Sequence, residues 1–235
     1  MKNILPLAFL IFFGVQTSTL SGQNRFALSL EGGPSYTYIH GNSANSDYLK
    51  PILGGFGGIA FQYSFLDKLS FKTGIAYERK GADLLVNSIM LNYTFHFDYL
   101  TIPLLIKASI GKKLRFLVSA GPYFSYLINQ TYINNHYYPY NFEYPIPDQS
   151  TYENANKLDF GIIGCIGIEV RIKNQYALSL EVRDHYGLIN TRLFPDFVGS
   201  DGMKYNFDNN AINNSIILSL GFSYFFPSGK GKIIQ

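Results

Sequence analysis

The stretch "IILSLGFSY" at residues 216–224 alternates, from Leu218 onward, between bulky apolar side chains and small ones. Ile216, Leu218, Leu220, Phe222 and Tyr224 would share one face of an extended chain, and Ser219, Gly221 and Ser223 would share the other. A period of two predicts a β-strand. The bulky face is apolar and the opposite face is small, so the question is which of the two faces points into the protein.

The same alternation occurs eight times along the chain, and helical periodicity is hard to find anywhere after the first residues. The predicted strands are approximately 25–36, 54–65, 68–80, 98–109, 113–126, 158–172, 175–187 and 214–226. Tight turns at 66–68, 111–113 and 173–175 alternate with much longer connections. An even number of antiparallel strands with short turns at one end and long loops at the other is the layout of an outer-membrane barrel.

A soluble sandwich or barrel would also give alternating strands, but its interior needs the bulky apolar groups and its surface the polar ones. In the third strand, Leu69, Phe71 and Ile75 lie opposite Lys72 and Glu78. Here the face with small and charged side chains suits a barrel interior, and the bulky apolar face suits contact with lipid. A closed sheet also pairs every backbone N–H and C=O group. We therefore predict an all-β, eight-stranded antiparallel up-and-down transmembrane β-barrel with short periplasmic turns and long extracellular loops.

The two ends of the chain are predicted to lie outside the barrel domain. Residues 1–23 combine Lys2, a short apolar run and small polar residues, which is the layout of a secretory signal peptide. We expect the barrel domain at 24–226 and a short C-terminal tail at 227–235. The only cysteine, Cys165, excludes an intrachain disulfide, and the net charge of +3 gives no reason to expect a nucleic-acid partner.

Several charged residues fall on the inward face of the predicted barrel. They are Glu31, Glu78, Glu169 and Glu181, with Lys72, Lys107, Arg115, Arg171 and Arg183. An isolated buried charge costs several kcal/mol, so near-balanced acids and bases indicate ion pairs. Because eight strands leave an interior just wide enough for side chains, we expect a filled lumen without a solute pore. A catalytic or transport role for these charges is the alternative.

Three prolines lie within or at the ends of the predicted strands. Pro34, Pro103 and Pro122 should mark bulges or strand ends, because proline removes a ladder hydrogen bond.

The longest loop, roughly 127–157, is rich in Tyr and Asn, the mixture found in recognition loops. Tyr137, Tyr138 and Tyr140 are therefore candidates for binding a protein or glycan. Alternatively, they pack on the barrel rim as interfacial aromatics.

An enzyme acting on lipid A is the reading with the least support. Ser179 and His185 share the inward face of the seventh strand but stand about 20 Å apart, too far for a nucleophile and its base. No metal-ligand spacing or phosphate-binding glycine loop is present. We expect no catalytic residue, cofactor or metal, and a non-enzymatic structural or accessory role. A surface binding module or adhesin is the main alternative.

The fourth strand, "YLTIPLLIK" at 99–107, and the following "AGPYFSYLI" at 120–128 resemble the PorT-family outer-membrane β-barrel proteins of Bacteroidetes. "GGFGGIAFQYSF", "LSFKTGIAYERKG" and "LSLGFSYFF" follow the same order, so the likeness covers about 24–226. The resemblance implies a location in the cell outer membrane and a link to type IX secretion or envelope organisation. Its implied partners are outer-membrane lipid, the barrel-assembly machinery and envelope or secretion-complex proteins. The tail after Phe226 departs from barrels that end on an aromatic residue recognised during assembly.

Overall fold

The computed structural model of the protein describes residues 25–40, 49–86, 91–134, 156–173, 175–190, 197–198, 204–205 and 211–227. The predicted signal peptide at 1–23 and nearly all of the predicted tail at 227–235 lie outside these residues. Within these ranges, no helix is long and apolar enough to cross a membrane.

Eight long strands form one closed antiparallel barrel. They are β1 (Phe26–His40), β2 (Ile52–Ser64), β3 (Leu69–Val86), β4 (Leu91–Gly111), β5 (Leu114–Asn134), β6 (Leu158–Ile172), β7 (Tyr176–Asn190) and β8 (Ile212–Phe225). Each strand pairs with the next, and β8 pairs with β1 through partners such as Leu30 and Phe222. A two-residue strand, Leu49–Lys50, adds to β3, and Phe197–Val198 pairs with Lys204–Tyr205. The predicted fold is confirmed.

The side chains divide between the two faces of the barrel as the alternation predicts. In β8, Leu218 is 48% exposed whereas Ser219 is 1% exposed. Small inward residues let eight strands approach closely, and the bulky outward residues supply an apolar surface for lipid. The backbone N–H and C=O groups of the eight long strands are paired around the barrel, because the closed sheet has no edge strand among the described residues.

Two rows of aromatic side chains border the apolar outer surface. The lower aromatic row lies near the short turns and contains Phe26, Tyr63, Tyr176, Tyr224 and Phe226, with ring centroids 5.0 Å apart for Phe26 and Tyr63. The upper aromatic row contains Tyr36, Tyr77, Tyr126 and Tyr186, all at least 38% exposed. Such rows mark the two membrane interfaces of a transmembrane barrel. The strand segments between them are the membrane-spanning part of the chain.

Strands β3, β4 and β5 extend well beyond the upper aromatic row, further than predicted. β3 ends at Val86, β4 begins at Leu91 and β5 ends at Asn134, so the predicted long connection at 81–97 shortens to 87–90. The polarity of the two faces inverts here. Phe95 and Phe97 point inward and are buried, while Thr94 on the outer side donates a 2.6 Å hydrogen bond to Asp83. A pattern with apolar residues outside therefore ends at the aromatic row, although the strands continue.

The expectation that prolines mark bulges or strand ends is wrong. Pro34, Pro103 and Pro122 lie inside strands and stand opposite Gly55, Tyr123 and Ile162. Register shifts occur instead at Asp98/Tyr99 and at Ile212/Asn214. A proline lacks one N–H, so one bond of the ladder can be missing without a shift of the register.

Candidate functional site

The lumen holds three clusters of charged side chains and one apolar layer, stacked from the short-turn end upward. The lower cluster surrounds Glu169 on β6. Its carboxylate lies 3.0 Å from Lys107 Nζ and 3.0 Å from Arg171 Nε, and Arg115 Nη1 is 3.7 Å away. Lys107 also donates to Gln62 Oε1 at 3.1 Å. Three bases meet one acid where the lumen approaches the periplasmic end.

The middle cluster is a charge-balanced group of two acids and two bases. Glu31 from β1 lies 2.5 Å from Lys72 Nζ and 2.6 Å from Arg183 Nη2. Glu181 accepts from Arg183 at 2.7 Å and lies 3.5 Å from Lys72 Nζ. All four side chains are at most 5% exposed. Residues that are 152 apart in the sequence thus share an ion pair across the lumen.

Glycines opposite the acids make room for the middle cluster. Glu31 stands between Gly58 on β2 and Gly221 on β8 in the register. Glu181 stands opposite Gly167, where an added Cβ would come within 2.9 Å of the glutamate Cγ. A larger residue at 167 would therefore displace the carboxylate from its bases.

The upper cluster is more deeply enclosed and includes residues that the sequence reasoning missed. Lys80 Nζ lies 3.0 Å from Asp159 Oδ2 and 3.3 Å from the hydroxyl of Tyr123, and its side chain is 0% exposed. Glu78 lies 3.9 Å from Lys80 Nζ and 3.0 Å from Nδ1 of His185. Lys80 and Asp159 share the inward parity of Glu78 and Glu169, so the alternation could have identified both.

An apolar cap closes the lumen above the upper cluster. Its buried members are Ile39, Ala82, Phe95, Phe97, Tyr99, Leu127 and Ala211. Tyr99 links the cap to the polar interior, because its hydroxyl accepts a 3.2 Å hydrogen bond from Asn213. The cap lies between strand segments that extend beyond the upper aromatic row, which gives this extracellular end an apolar core of its own.

The arrangement of these groups offers no catalytic pair among the described residues. Ser215 donates to one oxygen of Glu78 while His185 contacts the other, so the serine and the histidine meet one carboxylate and not each other. A serine nucleophile needs its base within direct hydrogen-bond reach. In the same part of the chain, no group of His, Cys, Asp or Glu side chains is placed to hold a metal ion.

The structure distributes the nine predicted lumen residues over the three clusters, and other residues join them. Glu31, Lys72, Glu181 and Arg183 form the middle cluster, and Lys107, Arg115, Glu169 and Arg171 belong to the lower one. Glu78 belongs to the upper cluster. The predicted recognition residues Tyr137, Tyr138 and Tyr140 lie outside the described residues.

Comparison with known proteins places this geometry in a family. The model of the outer membrane protein beta-barrel domain family matches residues 16–192. The chain is similar to OprG from Pseudomonas aeruginosa, at 14% identity over 88% of this chain and 99% of that chain, with a TM-score of 0.48. It is also similar to neisserial surface protein A, at 10% identity over 86% of this chain and 97% of that chain, with a TM-score of 0.45.

A third solved structure, E. coli outer membrane protein W, is 15% identical over 88% of this chain and 100% of that chain, with a TM-score of 0.42. No curated protein matches the sequence. The family model covers well over half of the chain. The protein therefore belongs to the outer membrane protein beta-barrel domain family and is an outer-membrane protein.

Proposed function

We propose that this protein is a closed-lumen barrel with a non-enzymatic structural or accessory role in the outer membrane. One observation carries the proposal: three stacked charged clusters and an apolar cap fill the lumen from one end to the other. The protein then acts through its outer surface and its external loops, not by passing solutes.

The energetics of the clusters support a closed lumen. Removing one partner from a buried ion pair is destabilising by about 3–5 kcal/mol, so a passing solute would have to displace groups that are held strongly. The apolar cap adds an obstacle of another kind, because an ion crossing it would lose its hydration without gaining a partner. Opening the lumen would require rearrangement of both kinds of layer.

Planar-bilayer recording tests the closed lumen directly. The full-length barrel, shown to be folded by far-UV circular dichroism in the same lipid, should give no steady conductance steps. An open porin inserted into the same bilayer serves as the control. Steady steps of about a nanosiemens, the behaviour expected of a water-filled channel, would overturn the proposal.

A role in secretion or envelope organisation is the finer form of the proposal. The resemblance to PorT-family barrels through "YLTIPLLIK" and "AGPYFSYLI" supports it. An affinity tag after Gln235 would allow purification of the full chain from membranes solubilised in a mild detergent. Co-purification of envelope or secretion-complex proteins is expected, and a barrel that consistently purifies alone would contradict an accessory role in such a complex.

Surface recognition is a second candidate, favoured by the extension of β3, β4 and β5 past the upper aromatic row. This extension carries the ends of β3, β4 and β5 beyond the lipid, where a soluble partner can reach them. Replacement of Tyr137, Tyr138 and Tyr140 together by Ser should abolish binding of a protein or glycan ligand without changing the circular dichroism spectrum. Unchanged binding would exclude these three residues.

The non-enzymatic part of the proposal rests on the way Ser215 and His185 share Glu78 inside a closed lumen. A substrate lipid would have no route to these buried groups. Overexpression should leave the mass spectrum of lipid A unchanged. A new lipid A species that disappears in a His185→Ala variant would instead identify an enzyme.

A further inference from the structure

Among the described residues, the lipid-facing surface between the two aromatic rows carries one charged side chain. Asp184 on β7 is exposed on the outer face, between Val182 and Tyr186, which are 44% and 45% exposed. Its sequence neighbours Arg183 and His185 are buried inside the lumen. Among the described strands, no other Asp, Glu, Lys, Arg or His faces outward between the rows.

The carboxylate of Asp184 has no partner in the part of the chain that the structure describes, since no hydrogen bond or ion pair reaches it. Its neighbours across the ladder are Gly164 on β6 and Ile216 on β8. Arg183 is next in sequence but is bound to Glu31 and Glu181 inside the lumen. A charge facing hydrocarbon is unfavourable and is usually functional where it occurs.

The outer surface is recessed beside Asp184. An added Cβ at Gly164 would meet no atom within 4 Å, so this position opens freely outward. Ala120 stands opposite Gly164 on the other side and is also exposed. Larger side chains border the recess, among them Ile162 at 51% exposure and Ile166 at 63%. A carboxylate thus lies beside a hollow of roughly side-chain width in an apolar surface.

We infer that Asp184 and the recess at Gly164 and Ala120 form a docking surface for another membrane-embedded protein, which places a Lys or Arg side chain against the carboxylate. Charge complementarity selects this occupant. A lipid acyl chain could fill the recess but would leave the charge unpaired. A buried pair that forms on docking would remove the cost of facing a charge toward hydrocarbon.

A second copy of this chain fits the surface poorly. The described outer surface between the aromatic rows offers no base to meet Asp184. An isologous dimer centred on the recess would instead bring the two Asp184 carboxylates together, because a two-fold interface uses the same surface on both subunits. The partner is therefore a different polypeptide. This inference rests on the accessory role proposed above and names the surface through which it acts.

Photo-crosslinking in native membranes tests the inference. A benzophenone amino acid replaces Ile166 at the rim of the recess or, as the matched control, Ile59, a 57% exposed isoleucine on β2. Ultraviolet light should produce a protein adduct at Ile166 and not at Ile59. The adduct should fall at least tenfold with Asp184→Leu and persist with Asp184→Glu. The crosslinked partner peptide should contain or adjoin a Lys or Arg within its membrane-spanning region.

Four outcomes would overturn the inference: no adduct at Ile166, an adduct unchanged by Asp184→Leu, an adduct with lipid only, or an adduct with a second copy. Urea unfolding of the purified barrel in lipid vesicles gives an independent check. Asp184→Leu should leave the midpoint unchanged or raise it, and a lower midpoint would assign Asp184 to the barrel's own stability. Failure of the closed-lumen proposal is distinguishable, since it would show as conductance and would leave the adduct unaffected.

Discussion

At the scale of single residues, Lys80 depends most on its surroundings. Its ammonium group is wholly enclosed, with Asp159 at 3.0 Å and the ring centroid of Tyr123 at 4.7 Å. A buried lysine is tolerated only where anions and ring faces replace the water that it loses. The same enclosure means that Asp159 has few other donors: besides Lys80, only the Tyr123 hydroxyl donates to Oδ2, at 3.2 Å, in the part of the chain described.

Replacement of Lys80 by Met should therefore lower the free energy of unfolding by about 3–5 kcal/mol, because it leaves the Asp159 carboxylate buried without its base. The double variant Lys80→Met with Asp159→Leu should recover most of this loss. Lys112→Met in an exposed turn is the matched control and should change the free energy by at most ~0.5 kcal/mol. Urea unfolding in lipid vesicles, followed by far-UV circular dichroism, measures all three.

Equal losses in the single and double variants would contradict this reading, since the penalty would then come from lost packing and not from an unpaired charge. The double-mutant cycle is needed because residues in one network do not contribute additively.

The alternation of the sequence predicts which residues enter the lumen but not which ones meet there. Parity alone places Glu31 and Arg183 inside, yet their 2.6 Å contact depends on the stagger of strands around the whole barrel. Lys80 and Asp159 follow the same parity, but they lie at the ends of the predicted strands 68–80 and 158–172, where the alternation does not show whether a residue belongs to the lumen or to a loop. The position of Asp184 could also be predicted from the sequence, since parity puts it with Val182 and Tyr186 on the lipid face.

At the scale of elements, Asp98 joins the three strands that extend above the upper aromatic row. On the outer face of this extension, its carboxylate accepts bonds from Arg79 on β3 at 2.7 and 3.1 Å and from Asn129 on β5 at 3.0 Å. Tyr77 donates to it at 2.6 Å. Asp98 lies above the membrane-spanning part of the barrel, beside the register shift between β4 and β5. It therefore ties the strands together where their ladder is irregular.

We predict that acid weakens this extension. Burial alone would raise the pKa of Asp98, but the bonds from Arg79, Tyr77 and Asn129 outweigh it and lower the pKa from 3.8 to about 2. A carboxylate with a depressed pKa stabilises the folded form above its unfolded pKa, and this stability is lost as the pH falls through the folded pKa. Hydrogen exchange of residues 127–134, normalised to the intrinsic rate, should therefore accelerate between about pH 4 and pH 2.

Asp98→Asn is the matched variant because it keeps the shape and removes the titration. It should exchange faster than the native chain at pH 7, since each hydrogen bond to a charged group contributes about 1.5–3 kcal/mol. Its protection should then be nearly independent of pH over the same range. Parallel acid profiles for the two proteins would assign the effect to other groups.

The strand lengths show where prediction from the sequence ends. Between the aromatic rows, lipid outside and a polar lumen inside give a pattern that identifies all eight strands. Beyond Tyr77 the surroundings reverse, with water outside and the apolar cap inside. The sequence pattern therefore places Phe95 and Phe97 in a loop. The chain keeps its period of two there, but the polarity that identified the strands changes sign.

At the scale of the whole molecule, the lumen is closed by layers in series. The middle cluster lies within the membrane, the upper cluster lies at the level of the upper aromatic row, and the apolar cap follows. Each layer is held by side chains from different strands: Glu31 and Lys72 come from β1 and β3, whereas Asp159 comes from β6. A path for ions needs every layer open at once, so loss of one layer does not make a channel.

This arrangement predicts that a barrel with an empty middle cluster still does not conduct. The variant combines Glu31→Ala, Lys72→Ala, Glu181→Ala and Arg183→Ala, which removes two acids and two bases together and leaves no unpaired charge. It should lose several kcal/mol of stability through the cavity that forms, because each large-to-small replacement in a packed interior costs about 2–5 kcal/mol where the site cannot collapse. Planar-bilayer recordings should nevertheless show no steady steps, because Lys80, Asp159 and the apolar cap still block the path. Conductance in this variant, with a native far-UV spectrum, would instead show that the middle cluster alone closes the lumen.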